Sequence, residues 1–463
     1  MKKKIFKTDW LASRPIFYNE KTCKISENIN DVIDYRHLEF DPEGFNNYLD
    51  FGYSVFEQTP VKNVKFCRYA SELSVKNGQI VVQDEADPIE KWNRNIVSEL
   101  TVLDLIKYKV QAWERSVKGS IIVPTSGGYD SRLLNVLIED KKRIRSFTFG
   151  ISDVQSQSFE VMYAKKLSIS LGTRWEQIKL GNFHNYFDYW NSLYGPSVHS
   201  HGMYQIEFYK KINSKIGGGH PFLSGIYGDA WAGSISFQKL KSPMELKNIG
   251  YTHGMNADIS MSLFSTDYSL RYDFWKKNII KINDPLLQIV MLLRLKMVLI
   301  SYLLRLPRIL GNIPYAPYLD EEIARSMLHI KPERRKERIW IKEYFGEKGL
   351  FYEDQNIKVD TGNTLNFQAL LKRPLVPLNA KLLREFIKPS YIELINNRIS
   401  KLEVTDYIYK GFKGVYKHEI IRNLLTNRIM NYLLYKRDVI LQAYCAYLTL
   451  KPIEYTLLRR EEV

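Results

Sequence analysis

Residues 121–132 read Ile-Ile-Val-Pro-Thr-Ser-Gly-Gly-Tyr-Asp-Ser-Arg, which is an apolar strand pattern followed by a glycine-rich turn and the start of a helix. Gly127 and Gly128 allow the backbone N–H groups of the turn to converge, and the helix N-terminus adds partial positive charge. The stretch has neither the Walker pattern Gly-x-x-x-x-Gly-Lys-Ser/Thr nor the dinucleotide pattern Gly-x-Gly-x-x-Gly. It therefore predicts a phosphate-binding turn of another kind, with a purely structural turn as the alternative.

Strand and helix patterns alternate around this turn. Strands are predicted at 120–123, 144–149, 174–180 and 221–226, and helices at 96–113, 131–140 and 159–171. Such alternation is typical of a parallel sheet with crossover helices, which binds ligands at the carboxyl ends of its strands. We expect an α/β fold with a mainly helical part after residue 251. Before residue 82 the short apolar pieces predict a small mixed domain with a helix at 42–51, joined by a polar linker at 84–92.

The composition is that of an ordinary globular protein. The 463 residues include 67 Lys and Arg against 51 Asp and Glu, a net charge of +16 that favours nucleotides, phosphates, acidic lipid or nucleic acid. The densest charge run, residues 331–338, is interleaved with Glu, and no nucleic-acid motif accompanies it. We expect this run to form a solvated helix face, and we expect no nucleic-acid partner.

The cysteines and the apolar runs of the sequence indicate the cellular compartment. The chain has three widely spaced cysteines without metal-ligand spacing, Cys23, Cys67 and Cys445, which favours a reducing environment. The first ten residues contain no apolar run typical of a signal peptide, and the most apolar stretch, 286–306, is interrupted by Arg294, Lys296 and Arg305. We expect a cytoplasmic protein without a transmembrane segment, in which 286–306 is a buried helix.

Ser126-Gly127-Gly128-Tyr129-Asp130-Ser131 resembles the pyrophosphate loop of the ATP-pyrophosphatase superfamily. The surrounding sequence resembles the synthetase domain of asparagine synthetase B and its relatives, including β-lactam synthetase. Further segments agree in order and spacing: Phe-Thr-Phe-Gly at 147–150, Glu160 with Tyr163-Ala164, residues 224–233, which are similar to Ser-Gly-Glu-Gly-Ala-Asp-Glu-Leu-Phe-Gly, and Ile-Pro-Tyr-Ala-Pro-Tyr-Leu-Asp at 313–320. The resemblance covers about residues 96–345 and implies an adenine nucleotide alpha hydrolase-like, parallel-sheet domain over 91–463.

The resemblance also implies a reaction. A substrate carboxylate attacks the α-phosphate of ATP and releases pyrophosphate, and ammonia or an amine then displaces AMP to form an amide. Asp130 and Asp229 are the implied Mg²⁺ ligands, and carboxylate oxygens are ligands that Mg²⁺ prefers. Lys358 is the candidate for the family's late catalytic lysine. The implied ATP-binding residues are Ser126, Gly127, Gly128, Asp130, Ser131, Phe149, Ser224 and Gly225.

Two departures concern the substrate. Ile226 and Ala230 stand where the family's pattern has glutamates, so we expect a substrate other than aspartate bound in the usual way. Relatives with this form of the loop look like those encoded with bacterial surface-polysaccharide enzymes, which implies a sugar carboxylate as acceptor. Closure of a lactam or macrolactam, and a non-catalytic scaffold descended from the enzyme, remain alternatives.

The amino-terminal region resembles the second half of the family's glutaminase domain at residues 14–18 and 45–53. The resemblance implies a truncated, Ntn-like α+β domain over residues 1–90. The nucleophilic cysteine that follows the initiator methionine in that domain is replaced by Lys2. We expect no glutaminase activity, with nitrogen supplied by free ammonia, a separate glutaminase or an amine on the substrate.

Three histidines permit a rival interpretation. His199, His201 and His220 could be metal ligands, but the first two lie in a predicted loop before a helix at Met203, and no fourth ligand is evident. A substrate-facing loop after the third predicted strand is the other interpretation.

Overall fold

The structure, a computed structural model, describes residues 5–250, 254–353, 355, 357–372, 375–400 and 427–462. Its amino-terminal part contains two three-stranded antiparallel sheets, with strand orders β1-β5-β6 and β3-β2-β4. The strands are β1 (Phe6–Thr8), β2 (Phe17–Asn19), β3 (Ile25–Ser26), β4 (Val64–Phe66), β5 (Ser71–Lys76) and β6 (Gln79–Asp84).

Helix α1 (Pro42–Phe51) lies between these strands and has the bounds that its sequence predicts. Asp41 caps its N-terminus by accepting a hydrogen bond from the Gly44 N–H at 2.6 Å. Gly52 ends the helix with φ +77°, and a Cβ there would lie 1.8 Å from the Met255 carbonyl oxygen. Glycine is required at this position for both its backbone conformation and its space.

A five-stranded parallel sheet forms the centre of the fold and confirms the predicted α/β architecture. The strand order is β11-β10-β7-β8-β9. The chain adds β8 and β9 on one side of β7 and then β10 and β11 on the other side. The carboxyl ends of β7 and β10 therefore border a topological switch point, where such sheets bind ligands. The strands are β7 (Ile121–Pro124), β8 (Ile144–Thr148), β9 (Arg174–Gln177), β10 (Pro221–Leu223) and β11 (Ile313–Tyr315).

The helices between and before these strands follow the predicted alternation. Ser98 caps the helix Glu99–Ser116 by accepting a hydrogen bond from the Thr101 N–H, and Gly172 ends the helix Phe159–Leu171 with φ +64°. The helices are α2 (Glu99–Ser116), α3 (Tyr129–Leu137), α4 (Phe159–Leu171), α5 (Phe187–Tyr194), α6 (Met203–Ile216) and α7 (Gly228–Ala232).

The carboxy-terminal part is mainly helical, as expected. The predicted helix at 286–306 is buried but divided into two at Ser301, whose hydroxyl bonds the Val298 carbonyl. In the described part of the chain, no helix has the length and apolar character needed to cross a bilayer. The helices are α8 (Leu246–Ile249), α9 (Ser269–Ile282), α10 (Gln288–Ile300), α11 (Tyr302–Ile309), α12 (Glu321–Leu328), α13 (Pro332–Arg335), α14 (Ile339–Glu347), α15 (Leu365–Lys372), α16 (Ala380–Leu383), α17 (Pro389–Ser400) and α18 (Asn427–Glu461).

The segment predicted as a linker, 84–92, is anchored instead. Both oxygens of Asp87 accept hydrogen bonds from the guanidinium of Arg294 on α10, at 2.7 and 2.8 Å, and both side chains are buried. A second buried ion pair joins Asp50 of α1 to Arg271 of α9 at 2.9 Å. The amino-terminal sheets are thus packed on the helical part through charged pairs, which sequence periodicity does not reveal.

Candidate functional site

A cavity of about 630 Å³ lies at the carboxyl ends of β7, β8 and β10. Asp229, at the start of α7, is one of the predicted residues that line it. The others are Ser126, Asp130, Ser131, Phe149, Ser224 and Gly225. The structure therefore brings together, at the switch point of the sheet, residues that are up to about a hundred positions apart in the sequence.

The turn after β7 has the geometry of an anion-binding turn. Gly127 has φ +74°, and a Cβ there would lie 2.9 Å from the Tyr163 Cβ. The Ser131 hydroxyl accepts a hydrogen bond from the Ser126 N–H at 3.2 Å, which closes the turn on the first turn of α3. Gly128 precedes α3, and no side chain caps the helix, so its first N–H groups are available to an anion.

The side chain of Arg132 holds this turn in place through hydrogen bonds. Its fully buried guanidinium donates to the Gly127 carbonyl at 2.6 Å and to the Leu350 carbonyl at 2.8 Å. It also forms two hydrogen bonds with the Glu353 carboxylate, at 3.0 and 3.2 Å. Four aromatic rings surround it: Tyr129, Tyr163, Phe345 and Tyr352. Arg132 ends the motif in the sequence, but no local pattern reveals these distant partners.

Asp130 and Asp229 face the same cavity from the starts of α3 and α7. Burial and the charge of Asp229 raise the pKa of Asp130 well above its usual range, and the charge of Arg338 opposes this shift. A Cβ on Gly228 would lie 2.7 Å from the Asp130 Cγ, so the backbone approaches the carboxyl group closely. Two carboxylates that line one cavity suit a divalent cation whose remaining ligands come from phosphate and water.

The described ranges contain no group of three or more His, Cys, Asp or Glu side chains that could hold a metal ion. His199 is buried, which lowers its pKa to about 3, and His220 Nε2 lies 2.9 Å from the Ile216 carbonyl oxygen. His201 lines the cavity and pairs with the Asn366 amide at 3.0 Å. The three histidines therefore do not form the alternative metal site, whereas His201 does belong to a loop at the cavity.

Tyr227 forms part of the cavity wall in an unusual conformation. Its φ of +69° is left-handed, and it stands where the similar motif Ser-Gly-Glu-Gly-Ala-Asp has its second glycine. A left-handed conformation costs a residue with a Cβ about 1–2 kcal/mol. Its ring is buried and its hydroxyl lies 3.4 Å from the Ile300 carbonyl oxygen of α10, so packing against α10 offsets the strain.

The predicted catalytic lysine, Lys358, is exposed and does not line the cavity. Its role remains a prediction. A different lysine, Lys296 of α10, lines the cavity. Burial lowers the pKa of Lys296, and the negative charge of Asp229 acts in the opposite direction. The sequence signal for this residue is a charge inside an otherwise apolar stretch, which by itself indicates only that the stretch does not span a membrane.

Glu160, at the start of α4, also lines the cavity. Burial, together with the charge of Asp360, raises its pKa to about 7. Its Oε2 is buried without a hydrogen-bond partner in the structure. Glu160 is therefore an ionisable group at the site that titrates near neutral pH.

The charge run 331–338 lies at the surface, as expected: residues 331–333, 336 and 337 are exposed and none of the eight is buried, although the helix is broken into two short pieces. Arg335 is partly buried, which lowers its pKa to about 10, and it donates to the Leu328 carbonyl. The Arg338 guanidinium lies 4.7 Å from the centre of the Tyr129 ring, next to the glycine turn. Glu337 and Arg338 both have positive φ, and only part of the run, including Arg334 with Glu99 and Glu343, forms surface pairs.

No family model matches the chain, and no curated protein matches it at a significant level. We therefore infer the function from the residues and geometry of the cavity.

Proposed function

We propose that the chain is an ATP-dependent ligase of the asparagine synthetase type that adenylates a carboxylate and forms an amide. The observation that carries the proposal is that the turn at 126–131 and the carboxylates of Asp130 and Asp229 share one cavity at the switch point of a parallel sheet. This combination supports an ATP-pyrophosphatase fold for residues 91–463. The presence of both the turn and the two carboxylates also argues against a non-catalytic scaffold.

In this mechanism the turn binds the phosphate chain of ATP through the N–H groups at the start of α3 and the hydroxyls of Ser126 and Ser131. Mg²⁺ held by Asp130 and Asp229 would neutralise charge on the departing pyrophosphate. An oxygen of the substrate carboxylate forms a bond to the α-phosphorus as the bond to the bridging oxygen of pyrophosphate breaks. Nitrogen of ammonia or an amine then attacks the acyl carbon, and AMP leaves.

We further propose that residues 1–90 are a truncated glutaminase-like domain without that activity. Burial raises the pKa of the Cys67 thiol to about 11, so it is protonated at neutral pH and is a poor nucleophile. Cys23 donates to the Gly78 carbonyl in a turn, away from the cavity residues. Nitrogen would then come from free ammonia, a separate glutaminase or an amine on the substrate, and the enzyme would act in the cytoplasm.

The test is carboxylate-dependent ATP–pyrophosphate exchange with Mg²⁺, with and without ammonium. The panel contains amino acids, nucleotide-linked uronic acids, short peptides and simple aliphatic acids. We expect exchange with one class of acid and none without acid. The mass of the product separates amidation by ammonia from ring closure, which removes one water. ATP binding without exchange for any acid, with and without ammonium, would contradict the proposal.

A further inference from the structure

One wall of the cavity is formed by α10. Leu292, Leu293, Lys296 and Ile300 all line the cavity, and their spacing of three to four residues places them on one face of the helix. Ile226 and Ile235 add further apolar surface to the same cavity. Lys296 is the only charged side chain on this helix face. The wall is thus apolar except for one ammonium group.

The ammonium group of Lys296 has no partner among the described residues. Its Nζ makes no hydrogen bond or ion pair with them, and the charge that acts on it is that of Asp229. An ammonium group that is partly removed from water without a partner is costly, and a ligand carboxylate would supply a charge-assisted hydrogen bond. The lysine therefore fits an anionic group that enters from the cavity.

We propose that this wall is a binding subsite for a carboxylic acid with an apolar body, its carboxylate on Lys296 and its body against Leu292, Leu293 and Ile226. That this acid is the acceptor of the ligase rests on the proposed function. The subsite disfavours a sugar acid, because a hydroxyl placed against leucine and isoleucine loses its hydration without gaining a hydrogen-bond partner. The isoleucine at 226, where the family's pattern has glutamate, is part of the same adaptation.

The subsite is tested by calorimetric titration of the full chain with octanoate, octanamide and glucuronate, in the absence of ATP. The octanoate–octanamide pair isolates the contribution of the carboxylate. We expect wild-type protein to bind octanoate at least about tenfold more tightly than octanamide or glucuronate. Lys296→Met should remove the preference over octanamide, and Lys296→Arg should keep most of it. Lys276→Met, at an exposed position on α9, is the matched control.

Two results would overturn the subsite: equal affinity of wild-type protein for octanoate and glucuronate, or an octanoate affinity unchanged in Lys296→Met. The wild-type comparisons remain decisive if a variant fails to fold. Ile226→Glu provides a second variant, which should weaken octanoate binding by charge repulsion. Because ATP is absent, the outcome is separate from the exchange assay. Octanoate binding without exchange contradicts only the ligase, and exchange confined to sugar acids contradicts only the assignment of the bound acid as the acceptor.

Discussion

The Nη2 of Arg132 donates a hydrogen bond to the carbonyl of Gly127 at 2.6 Å, so the helix that follows the glycine turn also holds the turn in place. The same guanidinium binds Glu353, some two hundred residues later in the chain. The conformation of the phosphate-binding turn therefore depends on a segment beyond the parallel sheet.

Arg132→Met should destabilise the protein by at least about 2 kcal/mol, because two backbone carbonyls lose a fully buried hydrogen-bond donor and the partly exposed Glu353 loses its ion pair. The measurement is urea denaturation. Arg334→Met is the control, since Arg334 forms partly exposed pairs and its loss should cost less than about 1 kcal/mol. Equal midpoints for the two variants would contradict the assigned role of Arg132.

Gly127→Ala and Gly128→Ala should lower the free energy of unfolding by different amounts in the absence of any ligand. At Gly127 the added Cβ would meet the Glu160 carbonyl oxygen at 3.0 Å in a left-handed conformation, whereas at Gly128 its nearest neighbour is the Ser126 Oγ at 3.4 Å. We expect Gly127→Ala to lower the free energy of unfolding by at least about 2 kcal/mol and Gly128→Ala by less than about 1 kcal/mol. Similar losses in thermal or urea denaturation would mean that the turn is not constrained as described.

Asp130→Asn should abolish Mg²⁺-dependent pyrophosphate release and yet stabilise the metal-free protein. Burial and the neighbouring Asp229 raise the pKa of Asp130, so the folded protein holds this proton more tightly than the unfolded chain and loses stability as the pH rises above the unfolded pKa. Thermal denaturation in EDTA at about pH 8 measures the stabilisation, which should be on the order of 1 kcal/mol. Asp229→Asn should also abolish release. Full activity in both variants would refute the metal assignment.

Glu160 should make stability fall with rising pH. Its pKa is raised from 4.5 in the unfolded chain to about 7 in the folded protein, so the folded state binds more protons between these values. Stability should decline from about pH 4.5 to about pH 7 and level off above, by up to about 3 kcal/mol. Urea denaturation across this range should show the decline in wild-type protein and a smaller one in Glu160→Gln. An unchanged slope in Glu160→Gln, compared with the exposed control Glu347→Gln, would exclude Glu160 as its source.

The features that could be predicted from sequence are those with local signals. Helices α1 and α4 begin and end where expected because Asp41 and Pro42 start the first, and Gly52 and Gly172 end them. The parallel sheet followed from alternation, and the glycine turn with its two carboxylates followed from the motif. Each of these depends on residues that are close in the sequence or on a pattern that repeats along it.

The features that could not be predicted depend on pairing across the chain. The Asp87–Arg294 pair makes an expected linker a buried contact, and Arg338, in the exposed charge run, lies next to the Tyr129 ring of the glycine turn. In the sequence, Lys296 is only a charge within an apolar run, whereas Lys358 is indicated by its late place in the chain. Nothing local to these residues distinguishes a cavity position from an exposed one.

Arg294 and Lys296 lie two residues apart on α10, and Arg294 is held by Asp87 of the amino-terminal part. Deleting residues 1–90 would leave a buried guanidinium without its carboxylate, on the helix that forms one wall of the cavity. Natural selection can thus retain the amino-terminal part as structural support for a site to which it contributes no reacting group. Under that constraint the two parts would be inherited together, and neither could be exchanged for an unrelated domain without compensating changes in α10.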